Sequence, residues 1–341
     1  MNGMKEGEKR PVLSICIPTW NRAKLLDESL DKLASQLLDI EKDDVELYIS
    51  DNASIDDTPW VVQKHISQGM PINYNRNSEN LGAARNFIHC IRWSKGQYVW
   101  LLGDDDFLKE NALKRLIAIL KGKEYGLLHF YTQGTKEEEP TIISDRKTFL
   151  CKISYWITFM SGNIFNRDII KNVTHPEKYI PSHLLQVPYY LEAALCHNEN
   201  VIIGTNHILL PPADSANNGG YNYFEVFVRY YLNIWKEKLM KYDMGERMYD
   251  YIRKDIYKKF IVGAIVRLLF LRENISLGEE NKYGRKGWKI DGAWTILFRY
   301  YGNCFYFYYS PISYVFSLSV KKTCKLIKRL KKEFHEYHRA D

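Results

Sequence analysis

Three carboxylates in a row, Asp104, Asp105 and Asp106, follow Gly103 at the end of the apolar run in "YVWLLGDDD". Like charges side by side repel, so each needs water or a counter-ion. Two chemistries suit the cluster. One is a solvated acidic turn; the other is a divalent cation, which takes hard oxygen ligands. A cation held there would bridge a diphosphate and neutralise a leaving group. Asp51 and Asn52 follow a second apolar run, "VELYIS". A carboxylate there can accept hydrogen bonds from the donor edge of a nucleotide base, or it can close an Asx turn. "NSENLGAARN" puts Asn80 and Gly82 at a helix start, with Arg85 and Asn86 one turn in. Free N–H groups at a helix start suit phosphate, and simple capping is the alternative. A third cluster, "PTWNR", holds Pro18, Thr19, Trp20 and Arg22.

The surrounding pattern says where these clusters sit. "VLSICI" (12–17), "VELYIS" (45–50), "INYNRN", "QYVWLL" and "YGLLHFY" read as strands, being short and rich in β-branched and aromatic residues. "NRAKLLDESLDKLASQLL", "DDTPWVVQKHIS", "LGAARNFIHCIRW" and "KENALKRLIAIL" read as helices, with Asn21 as N-cap of the first and Asp56 or Asp57 opening the second. Strands alternating with helices predict a mainly parallel sheet covered on both faces. Ligands of such sheets bind beyond the carboxyl ends of the strands. "PTWNR", "DNAS" and "GDDD" all fall there, after the first, second and fourth strands.

Past residue 140 the pattern changes. "SGNIFNRD" (161–168) reads as a strand entering a turn, "SHLLQVPYYLEAALCH" (182–197) as a helix with Pro188 near its start, and "VIIG" as a short strand. "PPADSANNGGYN" is rich in turn formers, so it is a loop, a lid or a domain boundary. From Tyr223 to about Leu271 the periodicity is helical. Residues 294–320 are aromatic and amphiphilic, broken by Pro311.

The 341 residues suffice for one large domain with an appendage or for two domains. Net charge is +7, and the last twenty-one residues carry eight Lys or Arg against three acids. Such a tail suits anionic lipid, or it is a solvated helix end. Nucleic acid would need basic residues gathered on one face. The six cysteines form no C-x-x-C pair, which points to buried thiols in a reducing compartment. The polar start has no apolar core of a secretory signal, and no stretch of eighteen apolar residues predicts a membrane span.

Taken together, "LSICIPTWNR", "ISDNASIDDT", "NSENLGAARN" and "YVWLLGDDD" resemble the nucleotide-sugar domain of family 2 glycosyltransferases, over roughly residues 11 to 125. The last phrase is most similar to the branch that includes abequosyltransferase-like enzymes of bacterial surface polysaccharide assembly. The resemblance implies the GT-A fold, a Rossmann-like α/β sheet, over 11–215, with nucleotide-sugar binding in 11–125 and an acceptor-side half in 126–215. A helical, aromatic and basic region, 222–341, would follow and would sit in the cytoplasm or against the inner face of the cell membrane. It also implies a metal-dependent, inverting transfer from a nucleotide-diphosphate sugar to a glycan acceptor, lipid-linked. The cation would be Mn2+ or Mg2+, and the donor UDP ahead of CDP or dTDP.

Residue roles follow from the same resemblance. Pro18, Thr19 and Trp20 would line the base and ribose site, Trp20 standing where the family usually has Tyr. Arg22, Asp51, Asn52, Asn80 and Arg85 would serve the nucleotide. The family commonly reads Asp-x-Asp-Asp, and Gly103 sits at the first Asp position. Asp105 is then the direct metal ligand, with Asp106, and Asp104 faces the donor sugar or a metal-bound water. A Glu-Asp pair that many members carry past residue 170 is missing. His183 in "SHLLQ" is the candidate base, with Glu192 and Asp214 behind it; a histidine at a helix start is also commonly structural. Two other readings compete. A nucleotidyltransferase shares the nucleotide and the metal, but "PTWNRAK" lacks its Gly-rich basic loop. A non-catalytic binding module would account for the missing pair. No G-x-G-x-x-G follows the first strand, which argues against a dehydrogenase.

Overall fold

The first apolar run forms strand β1 (Leu13–Thr19), every residue of it buried. Around it, the computed structural model describes residues 10–130, 139–204, 208–210, 222–269 and 290–304. Helix α1 (Ala23–Leu37) follows, then β2 (Val45–Asp51), α2 (Thr58–Ser67), β3 (Ile72–Arg76), α3 (Ala83–Trp93), β4 (Tyr98–Leu101) and α4 (Ala112–Gly122). These are the alternating elements the sequence predicts. Leu26, Leu30 and Leu33 of α1 repeat at helical spacing and bury one face against the sheet core of Leu13, Ile15, Ile17 and Ile49.

The second half adds β5 (Leu127–His129), β6 (Thr141–Ile143), α5 (Arg146–Ile153), β7 (Asn163–Asn166), α6 (Gln186–Cys196) and β8 (Asn200–Ile202). The eight strands lie in the order β3-β2-β1-β4-β7-β5-β8-β6. β3, β2, β1 and β4 are mutually parallel, and β7 enters antiparallel between β4 and β5. Pro188 is the third residue of α6, where its missing N–H has no intrahelical partner to lose.

One expected cap is different. Asn21 does not cap α1. It takes a left-handed φ of 53°, and its side chain accepts from the Ile55 N–H at 2.8 Å. The helix begins one residue later, and its Ala23 N–H donates to Asp56 Oδ2 at 3.0 Å. The loop after β1 is thereby tied to the loop after β2, which fixes the segment carrying Trp20 and Arg22.

The chain divides into two units, Met1–Asn218 with Asn233–Tyr249, and Gly219–Leu232 with Asp250–Asp341. The sequence places a boundary at 215–222, and residues 233–249, which follow it, fall in the first of these units. The second unit contains α9 (Val262–Leu269) and α10 (Ile290–Tyr301), and helices α7 (Tyr231–Lys241) and α8 (Gly245–Ile256) each cross a boundary. Among the described residues no helix is long and apolar enough to cross a membrane. The turn-rich loop at 211–221, Asp214 within it, and the aromatic and basic stretch beyond 304 lie outside the described residues.

Candidate active site at the carboxyl ends of the strands

Strand register brings the polar clusters to one edge. Thr19 pairs with Asp51, Asp51 with Arg76, and Cys16 with Leu101. Continuing that last register three residues sets Asp104 beside Thr19, and Thr19 Oγ1 donates to Asp104 Oδ2 at 2.8 Å. Pro18 and Thr19 are buried at the end of β1, while Trp20 is 50% exposed. A half-exposed indole beside a polar edge is a stacking surface for a planar ligand.

The three carboxylates have distinct surroundings. Arg22 Nη1 lies 3.0 Å from Asp104 Oδ1 and 2.7 Å from Asp105 Oδ2. Ser161, on the short turn Met160–Gly162, donates through Oγ to Asp106 Oδ2 at 2.5 Å and accepts from the Gly103 N–H at 2.8 Å. Burial pushes Asp104 up to about 6, against the opposing pull of Arg22 and Thr19. Burial likewise pushes Asp106 up to about 6, with the Ser161 hydrogen bond opposing and the Asp105 charge adding. A set of buried or part-buried carboxylates that resists holding its full negative charge suits a divalent cation, and all-oxygen donors suit Mg2+ or Mn2+.

Gly103 is explained by the same geometry. A Cβ built on it would lie 2.6 Å from Asp106 Oδ2, 3.1 Å from Asp105 Oδ1 and 3.3 Å from Ser161 Oγ. The carboxylates converge over the bare Cα, so glycine at this position is what lets Asp105 and Asp106 face one point. Installing the residue common at this position, Gly103→Asp, is therefore expected to damage the site. The atoms in the way are ends of flexible side chains, so thermal stability should change little. Asp106 would be driven off Ser161, and cation-dependent nucleotide affinity should fall about tenfold or more. Thermal melts beside calorimetric titrations of the variant check both halves.

Asp51 is fully buried. Its Oδ1 accepts from the Ser54 N–H at 2.8 Å, the Asx-type closure, and its Oδ2 accepts from Tyr74 Oη at 2.7 Å. Burial and that hydrogen bond push the Tyr74 hydroxyl up, so it stays a donor. Arg76, at the end of β3, places Nε 3.6 Å from Asp51 Oδ2 and donates from Nη2 to Ser54 O at 2.7 Å. Asn52 accepts from the Leu81 N–H and from Asn77, and donates to Asn80 Oδ1 at 2.6 Å; Asn80 also accepts from the Gly82 N–H. Asn52 and Asn80 thus hold the start of α3 against the end of β2. Arg85 is exposed one turn in.

The acceptor-side candidates part company. His183 is exposed and takes a left-handed φ of 56° at the end of the turn Pro176–Ser182, just before α6. Glu192 is buried within α6 and held by Lys238, Lys241 and Tyr242, with Lys238 Nζ at 2.7 Å and Tyr242 Oη at 2.5 Å. Burial alone would raise it, but those donors outweigh burial and hold the carboxyl below the usual glutamate range. A carboxylate so paired is a poor base, and the network ties residues 238–242 to α6 within the first unit.

Three residues of this edge have no motif. Arg76 and Tyr74 lie in "INYNR", the strand whose end the clusters after strands one, two and four leave out. Ser161 comes from beside an antiparallel strand far along the chain. It is held by Trp100 Nε1, which donates to Ser161 O at 2.9 Å; Gln186 donates to Thr158 O and Tyr190 to Met160 O, so α6 braces the turn that reaches Asp106. A separate group, Asp27, Asp31 and His65 on α1 and α2, brings ligand-type atoms within 4.8 Å of one another. Lys64 Nζ already lies 2.8 and 3.0 Å from the two Asp27 oxygens, and we read it as an ion-pair cluster.

An open, mainly parallel sheet with an antiparallel strand beside β4 and a carboxylate turn at the β4 end is the GT-A fold of nucleotide-diphospho-sugar transferases. The structure of S. aureus TarS 1–349 in complex with UDP-GlcNAc superimposes with a TM-score of 0.63 at 16% identity, covering 84% of this chain and 80% of that one. Within that class, the profile of Glycosyl transferase family 2 matches residues 14–174, and the chain carries a domain of that family. Abequosyltransferase RfbV of Salmonella typhimurium is 41% identical over 105 residues, 30% of each chain. The GalNAc(5)-diNAcBac-PP-undecaprenol beta-1,3-glucosyltransferase of Campylobacter jejuni is 27% identical over 181 residues, 50% of this chain and 56% of that protein. The chain thus spans less than a third to little more than half of these relatives' lengths.

Proposed function

We propose that this protein is a metal-dependent, inverting glycosyltransferase that moves a sugar from a nucleotide-diphosphate donor to a lipid-linked glycan in bacterial surface polysaccharide assembly. The observation that carries the reading is the convergence of Asp105 and Asp106 over Gly103, with Asp104 beside Thr19, at the edge where Trp20, Asp51 and Arg76 also gather. Asp105 and Asp106 would hold Mn2+ or Mg2+, which when bound supplies positive charge to the leaving diphosphate. Trp20 would stack on the base, with Asp51 and Arg76 beside it, and Arg85 and the start of α3 would face the phosphates or ribose. UDP stands ahead of CDP and dTDP. The names of the two relatives support the polysaccharide and lipid-linked setting.

His183 is the proposed base, taking the acceptor hydroxyl's proton as the oxygen attacks the anomeric carbon. His183→Gln is expected to lower kcat by about a hundredfold and leave nucleotide affinity unchanged. Equal loss of affinity would make His183 a structural residue. The function itself is tested by release of free nucleoside diphosphate from UDP-, CDP-, dTDP- and GDP-sugars, with Mn2+ and a bacterial extract of lipid-linked glycans. Release from one class, stimulated by the extract, is expected. Release of pyrophosphate from a nucleoside triphosphate supplied with a sugar 1-phosphate would instead identify a nucleotidyltransferase, and no release in either assay would favour a binding module.

A further inference from the structure

We propose that Arg22 is a built-in counter-ion that competes with the divalent cation for Asp104 and Asp105, so that the cation alone binds weakly and the donor's diphosphate, by drawing the guanidinium away, completes the site. The inference rests on the cation-dependent reading given above. One nitrogen, Nη1, makes both contacts, at 3.0 Å to Asp104 Oδ1 and 2.7 Å to Asp105 Oδ2. Asp104 Oδ2 is already taken by Thr19, and Asp106 Oδ2 by Ser161. A cation approaching Asp105 must therefore share that carboxylate with a guanidinium, and two positive charges at so short a range repel strongly inside a part-buried site. Arg22 neutralises the turn so long as nothing better does.

The same side chain is equipped to leave. It is 33% exposed, and among the described residues Nε and Nη2 make no hydrogen bond. Three N–H donors of a planar fork are thus unspent within reach of the carboxylate turn, the arrangement that recognises phosphate oxygens. A diphosphate arriving with its cation offers Arg22 a second anion. Moving the guanidinium to it frees an oxygen on each of Asp104 and Asp105. Cation and nucleotide then strengthen each other's binding by the same factor.

Mn2+ titrated into the full chain, with free Mn2+ followed by electron paramagnetic resonance, tests this directly. Wild type, Arg22→Gln and Arg22→Lys are compared, without nucleotide and with UDP, CDP, dTDP or GDP. Without nucleotide, Arg22→Gln is expected to bind Mn2+ about tenfold tighter than wild type, while Arg22→Lys, which keeps a cation in place, stays near wild type. The strengthening of Mn2+ binding by nucleotide should shrink about tenfold in Arg22→Gln. Mn2+ binding to Arg22→Gln that equals or falls below wild type, with wild type still binding Mn2+ and nucleotide together, would overturn the competition and leave the proposed function standing. A wild-type chain that takes up no Mn2+ with any of the four nucleotides overturns both.

Discussion

Asp105→Ala is expected to lower turnover by about a thousandfold, the equivalent of roughly 4 kcal/mol of lost transition-state stabilisation. Asp105 and Asp106 are the carboxylates of the turn that remain part exposed, and the Asp105 side chain is 19% exposed against 7% for Asp104. Its Oδ2 meets Arg22, and its Oδ1 points over Gly103 toward the same space as Asp106. In the proposed site, losing Asp105 would remove a ligand common to cation and Arg22, so the cation's hold on a departing diphosphate should fail while the fold persists. Unchanged thermal stability with lost turnover is the expected pair of results. Activity near wild type in Asp105→Ala would transfer the metal to Asp104 and Asp106, or remove it from the mechanism.

Glu192→Ala is expected to act on stability instead, by about 3–5 kcal/mol, because it strands the buried ammonium of Lys238 without a partner. Lys238 has a side chain only 3% exposed, and Glu192 is its ion-pair partner at 2.7 Å. Replacing both, Glu192→Met with Lys238→Leu, should recover most of the loss, since removing a buried pair together is far milder than breaking it. The pH dependence has a definite sign. The folded carboxyl sits below its usual value, so the stability it contributes is present above about pH 4.3 and is lost as pH falls through the lowered folded value. Urea denaturation at neutral pH and on the acid side measures both. A Glu192→Ala protein of wild-type stability that has lost turnover would return Glu192 to candidacy as the base.

The front half of this protein is legible because local pattern and global fold agree there. Each apolar run from β1 to β4 is a strand, and the polar residues that end β1, β2 and β4 meet at one edge because parallel strands all finish on the same side. What stays hidden depends on contacts between distant residues. The antiparallel β7 between β4 and β5 carries no signal of its neighbours, so Ser161, a hydroxyl in an ordinary turn, gives no hint that it reaches Asp106. Arg76 ends a five-residue strand without a cluster around it. Gly103 looks like a departure from the family pattern until the convergence of Asp105 and Asp106 shows why a side chain would not fit. Glu192 looks like a spare acid for catalysis until Lys238 and Lys241, almost fifty residues on, are seen to claim it. Asn21 reads as a cap from its type alone; the Ile55 N–H claims it first.

The central claim is that the carboxylate turn binds a cation that in turn binds a nucleoside diphosphate. Calorimetry with UDP, CDP, dTDP and GDP, with and without Mn2+, tests it on the intact chain. The expected result is Mn2+-dependent binding of one of the four, abolished in Asp105→Ala. Binding of none, or binding of equal strength with and without Mn2+ and in Asp105→Ala, would contradict it and leave "GDDD" an acidic turn.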